Sequence, residues 1–154
     1  GFTLLELLVV IAIIGLLAGV VTLALQSARA KARDTKRAAD VRQIVTAMEQ
    51  YHIAHGIYPT GTGSITTAGS GTALNDPTAM DGGPEPFVPG YVPFIPSAPK
   101  PADGDCGNTS GSGGNDYWYS SANDGTSYAL VYCIGKSVGD LAPGPHTATP
   151  EGVE

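Results

Sequence analysis

Proline is missing from the first 58 residues of this 154-residue chain; all twelve prolines lie from Pro59 onward. Proline costs about 3 kcal/mol inside a helix, so the first stretch is free to form one long helix and the remainder is confined to loops and short strands. Glycine follows the same division, with eighteen of 21 beyond residue 55. Charge is nearly missing from the start, where Glu6 is the only charged residue among the first 28. Histidine is scarce: His52, His55 and His146 are the three. No serine–histidine–acid set, metal quartet or phosphate-cradling loop appears, so no catalytic constellation can be assembled and the chain is not expected to be an enzyme.

What is present is unevenly placed. Residues 7–25 carry no charge and are interrupted only by Thr22 and two glycines. About 20 apolar residues span a bilayer core. No basic residue precedes the run, and it passes into a second helical pattern, which favours a retained segment over a cleaved secretory signal. Residues 29–42 then hold Arg29, Lys31, Arg33, Lys36, Arg37 and Arg42 against Asp34 and Asp40, a local net of +4. Residues 43–154 hold Lys100 and Lys136 against eleven acids, a net of −9. The chain therefore reads as a greasy rod (1–28), a basic amphipathic continuation (29–55) and an acidic, loop-rich head (56–154). An acidic head argues against nucleic acid as its partner.

An ordinary single-pass anchor accounts for the hydrophobicity but not for Glu6, because an unpaired charge in hydrocarbon costs about 3 kcal/mol. The opening GFTLLELLVVIAIIGLLAG resembles the processing site and helix start of the type IV pilin and pseudopilin family. That resemblance implies that a prepilin peptidase cuts after Gly1 and methylates the new N-terminus at Phe2. It implies that Glu6 pairs with the Phe2 amine of a neighbouring subunit in a helical homopolymer, and that an inner-membrane pool precedes assembly by dedicated machinery. A buried charge is tolerated when paired and strongly destabilising when alone, so the pair would set register between subunits. Two departures stand out. Gly1, which the family would remove, is present, and the helix-kinking proline common in the family is missing before Pro59. Gly15 and Gly19, each costing about 1 kcal/mol relative to alanine, are the expected sites of local loosening in a filament.

In residues 26–55, Ala38, Val41, Ile44, Val45, Met48 and Tyr51 recur at spacings of three and four and make one apolar stripe. Before Ala38 the pattern is alanine and cation, expected to carry no packed domain. Lys36 and Asp40 are four apart and within reach of each other. Cations beside a membrane helix favour the cytoplasm; the family resemblance and the cysteines place the head outside instead. Capture of DNA is the functional alternative for the collar. Glu49, His52 and His55 have helical spacing suited to a metal, but no third strong ligand is visible and imidazoles near a helix C-terminus are favourable in themselves. Gly56 is expected to end the helix.

In the head, the serine-, threonine- and glycine-rich residues 60–73 read as a surface loop. The proline-dense residues 84–101 read as an extended segment pinned by Phe87, Tyr91, Phe94 and Ile95. Tyr117–Ser121 and Ser127–Ile134 read as strands flanking a hairpin turn at Ala122–Gly125, the second alternating Tyr128, Leu130, Tyr132 and Ile134 with Ala129, Val131 and Cys133, and His146 falls in a proline-rich tail. The expected fold is α+β: a long N-terminal helix with a small antiparallel sheet on its C-terminal half. Cys106 and Cys133 are the only cysteines, and a disulfide between them suits a small extracytoplasmic domain. Asp103, Asp105 and Asn108 are oxygen donors that make calcium a candidate ligand, without the one-apart spacing of a helix-loop-helix site; no other cofactor is expected. Asn108-Thr109-Ser110 fits a glycosylation sequon. The leading functional expectation is a pilin, polymerised into an extracellular filament for adhesion, motility or DNA uptake. The alternatives are a major pseudopilin of a type II secretion system and a membrane-anchored binding module.

Overall fold

The computed structural model describes residues 1, 3–65, 96–104, 106, 116–122 and 124–153. A single helix, α1, runs Leu4–His55 without interruption. At 1.5 Å per residue its 52 residues extend about 78 Å. Thr3 starts it with a capping box, and Gly56 ends it in the left-handed conformation (φ 77°), where its N–H donates to the His52 carbonyl at 2.8 Å. That stop falls where the sequence placed it, because glycine enters this region without a Cβ penalty.

Five strands follow among the described residues: β1 Thr62–Ile65, β2 Tyr117–Ser121, β3 Tyr128–Ile134, β4 Gly144–Thr149 and β5 Gly152–Val153. They form one antiparallel sheet in sequential order. The α+β layout is as expected, but the sheet is larger. β1 lies inside the stretch read as a surface loop, and its Ile65 is buried. β4 lies in the stretch read as a proline-rich tail. Pro145 sits at its second position, beyond the two residues that β5 covers, which suits the edge positions where a missing N–H is tolerated.

The core joins one stripe of α1 to one face of the sheet. Val41, Ile44, Ala47, Met48 and Tyr51 pack with Tyr58, Tyr117, Tyr119, Tyr128, Leu130, Tyr132 and Ile134, and Ala38 is buried on the same stripe. Alternation explains the sheet face: Tyr128, Leu130, Tyr132 and Ile134 point in, while Ala129 and Val131 are half-buried. The sheet covers only the C-terminal part of α1. Every residue from Thr3 to Arg29 is exposed.

Phe87, Tyr91, Phe94 and Ile95 lie outside the described residues, as do Asn108, Thr109, Ser110 and Asn123. At the near end of the proline-dense segment, Pro96 and Ala98 are buried.

Candidate functional site

The exposed half of α1 is the first element of the site. Fifteen large apolar side chains from Leu4 to Leu25 are exposed, with Leu4 88% and Leu16 72% accessible. The helix is long and apolar enough to cross a membrane by length and composition. At about 1.5 kcal/mol for each such side chain taken from water, burying this rod gains on the order of 20 kcal/mol, more than a typical domain's whole stability.

Glu6 sits at the tip of this rod. Its Oε2 accepts from the Thr3 N–H at 2.8 Å and from the Thr3 hydroxyl at 2.9 Å, while the Thr3 Oγ1 accepts from the Glu6 N–H at 3.2 Å. In the lone subunit the carboxylate is thus held by its own helix start. The sequence reading did not single out Thr3, although Thr3-x-x-Glu6 is the pattern of a capping box. Phe2 lies outside the described residues, and Gly1 is exposed. Gly15 and Gly19 lie within unbroken helix, with open space around each.

The collar is the second element, and here the structure corrects the sequence reading. The turns before Ala38 are not bare. Asp34 and Arg37 are fully buried. Arg37 Nη1 donates to Asp34 Oδ1 at 2.5 Å and to Asp103 Oδ2 at 3.2 Å, and its Nη2 donates to the carbonyls of Pro99 at 2.8 Å and Pro101 at 3.2 Å. Arg33 grips the same Asp103 with Nε at 2.5 Å and Nη2 at 2.6 Å. Asp34 also accepts from the backbone N–H groups of Gly135 (3.1 Å) and Lys136 (2.7 Å).

Two helical cations and two carboxylates therefore fasten the 99–103 segment and the turn after β3 onto α1. Glycine is required where these meet: a Cβ on Gly135 would lie 2.6 Å from the Asp103 carbonyl carbon, and one on Gly104 would lie 2.7 Å from Gly135 Cα. The Cys106–Cys133 disulfide closes beside this junction, with Cα atoms 6.0 Å apart. The bond from Arg33, with help from Arg37, holds the Asp103 carboxyl below the usual range.

The expected Lys36–Asp40 pair does not form. Asp40 instead accepts from the Tyr117 hydroxyl at 3.0 Å, and burial together with that carboxylate pushes the phenol well up. Of the three oxygen donors considered for calcium, one lies among the described residues. Asp103 is committed to two guanidinium groups, and Asp105 and Asn108 lie outside the described residues. Glu49, His52 and His55 do not converge either. Glu49 accepts from the Tyr58 hydroxyl, His52 stacks on Tyr58 and His55 stacks on Tyr51. Among the described residues no group of three histidine, cysteine or acidic side chains is arranged for a metal. His146 lies in β4 and stacks on Tyr132.

Residues 1–22 match the family model described as the prokaryotic N-terminal methylation motif. Over 127 residues the chain is 32% identical to the type II secretion system core protein G of Vibrio cholerae serotype O1, covering 80% of this chain and 72% of that protein. The chain belongs to the type IV pilin and pseudopilin family. It is also 36% identical over 102 residues to the core protein G of Aeromonas hydrophila, covering 64% of this chain and 66% of that protein. With the type IV major pilin protein PilE of Neisseria gonorrhoeae it shares 39% over 70 residues, 46% of this chain and 42% of the pilin. The matched part thus spans about two thirds of these secretion-system relatives and less than half of that pilin. No solved structure matches the chain.

Proposed function

We propose that this chain is a major pseudopilin, a structural subunit that polymerises through its N-terminal helix into a periplasmic filament of a type II secretion system. The observation that carries the polymer is the exposed apolar rod, which extends beyond the part of α1 that the sheet covers. Such a surface needs either lipid or other copies of itself, and a bundle of these helices supplies the second. What favours the secretion system over the surface pilus is the longer shared span with core protein G relatives, 127 residues against 70 for the pilin. The extracellular-pilus reading is second for that reason.

In this reading residues 1–28 are stored in the inner membrane and then packed in the filament core. Residues 29–55 carry the head, and residues 56–154 form it. Prepilin peptidase cuts between Gly1 and Phe2. Glu6 leaves Thr3 to pair with the Phe2 amine of a neighbour, and α1 loosens near Gly15 and Gly19 on packing. Deletion of the gene in its native host is the test. Loss of exported proteins from the medium, with retention of shearable surface filaments, supports the pseudopilin. Loss of surface filaments with normal export supports the pilus. Within the pseudopilin reading, Glu6→Ala leaves the inserted monomer in place and abolishes polymer; normal polymer yield from that variant contradicts the pairing.

A further inference from the structure

Along the axis of α1 the described residues carry opposite charge at the two ends of the subunit. The upper end lies at the helix C-terminus. There the Tyr58 N–H donates to the Gly125 carbonyl at 2.8 Å, which fixes the β2–β3 turn. β3 starts at Tyr128, packed edge-on against Tyr58, and Ala148 is level with Leu130, so the β4–β5 turn lies at this same end. The two turns carry Asp124 and Glu151, both exposed. Asp124 is held outward by its own turn, its Oδ1 accepting from the Thr126 N–H at 3.1 Å and hydroxyl at 2.8 Å.

The lower end is marked by Asp34, which receives the turn after β3. Arg29 and Lys31 lie just below it on α1, both exposed. Neither has an ion pair among the described residues, because Arg33 and Arg37 take Asp34 and Asp103, and Tyr117 takes Asp40. Lys136 and Asp140, in the turns between β3 and β4 at the lower end, carry one charge of each sign and add no net charge there. Lys36 differs in sharing a surface hollow with Asp116 and Lys100.

We propose that Asp124 and Glu151 of one copy dock on Arg29 and Lys31 of another copy further along the filament. The occupant is a second copy of this chain because both halves of the contact are present on it and lie at opposite ends. A contact between opposite ends is heterologous and repeats without closing, as an open filament requires. The upper turns sit level with residue 57 and the cations with residue 30, so the two copies are offset by about 40 Å along the axis at 1.5 Å per residue. This docking presupposes the polymer proposed above and adds which surfaces meet in it.

The experiment uses the full chain in its host membrane and three variants: D124K/E151K, R29E/K31E and all four changes together. Polymer is measured by sedimentation of solubilised filaments. Formation of the Cys106–Cys133 disulfide reports that the head has been exported normally. Each two-site variant is expected to lower the polymer fraction five-fold or more, the size of an exposed ion pair near the top of its usual range. The four-site swap is expected to restore it to within two-fold of wild type. Two-site variants that assemble normally, or a swap that does not restore assembly, overturn the docking. So does a membrane-retention defect in R29E/K31E with no effect of D124K/E151K, which would assign the cations to anionic lipid headgroups. A wild-type chain that forms no polymer at all overturns the parent reading, and the docking with it.

Discussion

Replacing Arg37 by alanine separates a collar that is part of the head from one that is only solvated charge. The guanidinium is fully buried and makes four hydrogen bonds, to Asp34, Asp103 and the carbonyls of Pro99 and Pro101. Its removal leaves Asp34 as a buried carboxylate facing only two backbone N–H groups, and leaves two carbonyls without this donor. Removing one partner of a buried ion pair costs about 3–5 kcal/mol. For a head of roughly 100 residues that corresponds to a Tm lower by roughly 15–30 °C. The assay is thermal unfolding of the detergent-solubilised chain followed by near-UV circular dichroism above 270 nm, since Trp118 and most of the tyrosines lie in the head and the apolar rod holds no tyrosine or tryptophan. Arg42→Ala is the control: Arg42 is exposed on the same helix and is expected to change stability by less than about 0.5 kcal/mol. An Arg37→Ala protein within 1 kcal/mol of wild type would refute the reasoning, as would equal losses from the two variants.

Other outcomes follow from the same geometry. Reducing the Cys106–Cys133 bond, which closes a separation of 27 residues, is expected to cost about 3–4 kcal/mol in the chain-entropy account, measured as a lower denaturant midpoint under dithiothreitol. Asp103 has a depressed folded-state pKa, so its contribution is present above the ordinary aspartate value of about 4 and is lost as pH falls through the folded value; Asp103→Asn is therefore expected to flatten the acid limb of a Tm-against-pH curve below about pH 4. Tyr58, Tyr117, Tyr119, Tyr128 and Tyr132 are all pushed up, by burial above all. Their stabilising contribution is therefore complete below about pH 10 and is lost as pH rises; absorbance at 295 nm is expected to rise only together with loss of near-UV signal, whereas early independent ionisation of these groups would contradict their burial.

The parts of the fold that were legible in the sequence are those with a local cause. The stripe from Ala38 to Tyr51 repeats at helical spacing, Gly56 supplies the stop, and β3 alternates tyrosine, leucine and isoleucine with smaller residues. β1 and β4 lack that signal. Each contributes one buried apolar residue, Ile65 and Ala148, within serine, threonine, glycine and proline. Their strand character comes from pairing to neighbours already in place. The collar was misread for a related reason. Helical spacing says which side chains can reach one another, and it allowed both Lys36–Asp40 and Asp34–Arg37. Which pair forms depends on the face that the head covers. That cover arrives from Pro99, Pro101, Asp103 and Gly135, more than 60 positions along the chain. Glu6 was legible as an anomaly in an apolar run, but its resting partner Thr3 required attention to the cap as well as the charge.

The central claim is that the rod exposed in the subunit becomes the interior of a homopolymer. An electron cryo-microscopy map of the filament assembled from the full chain tests it most directly. Residues 4–28 of every subunit are expected at the filament axis and shielded from solvent, with Glu6 beside a neighbour's Phe2 amine and the sheet-bearing heads outside. A filament held together by head contacts alone, with those helices on its outer surface, would contradict it.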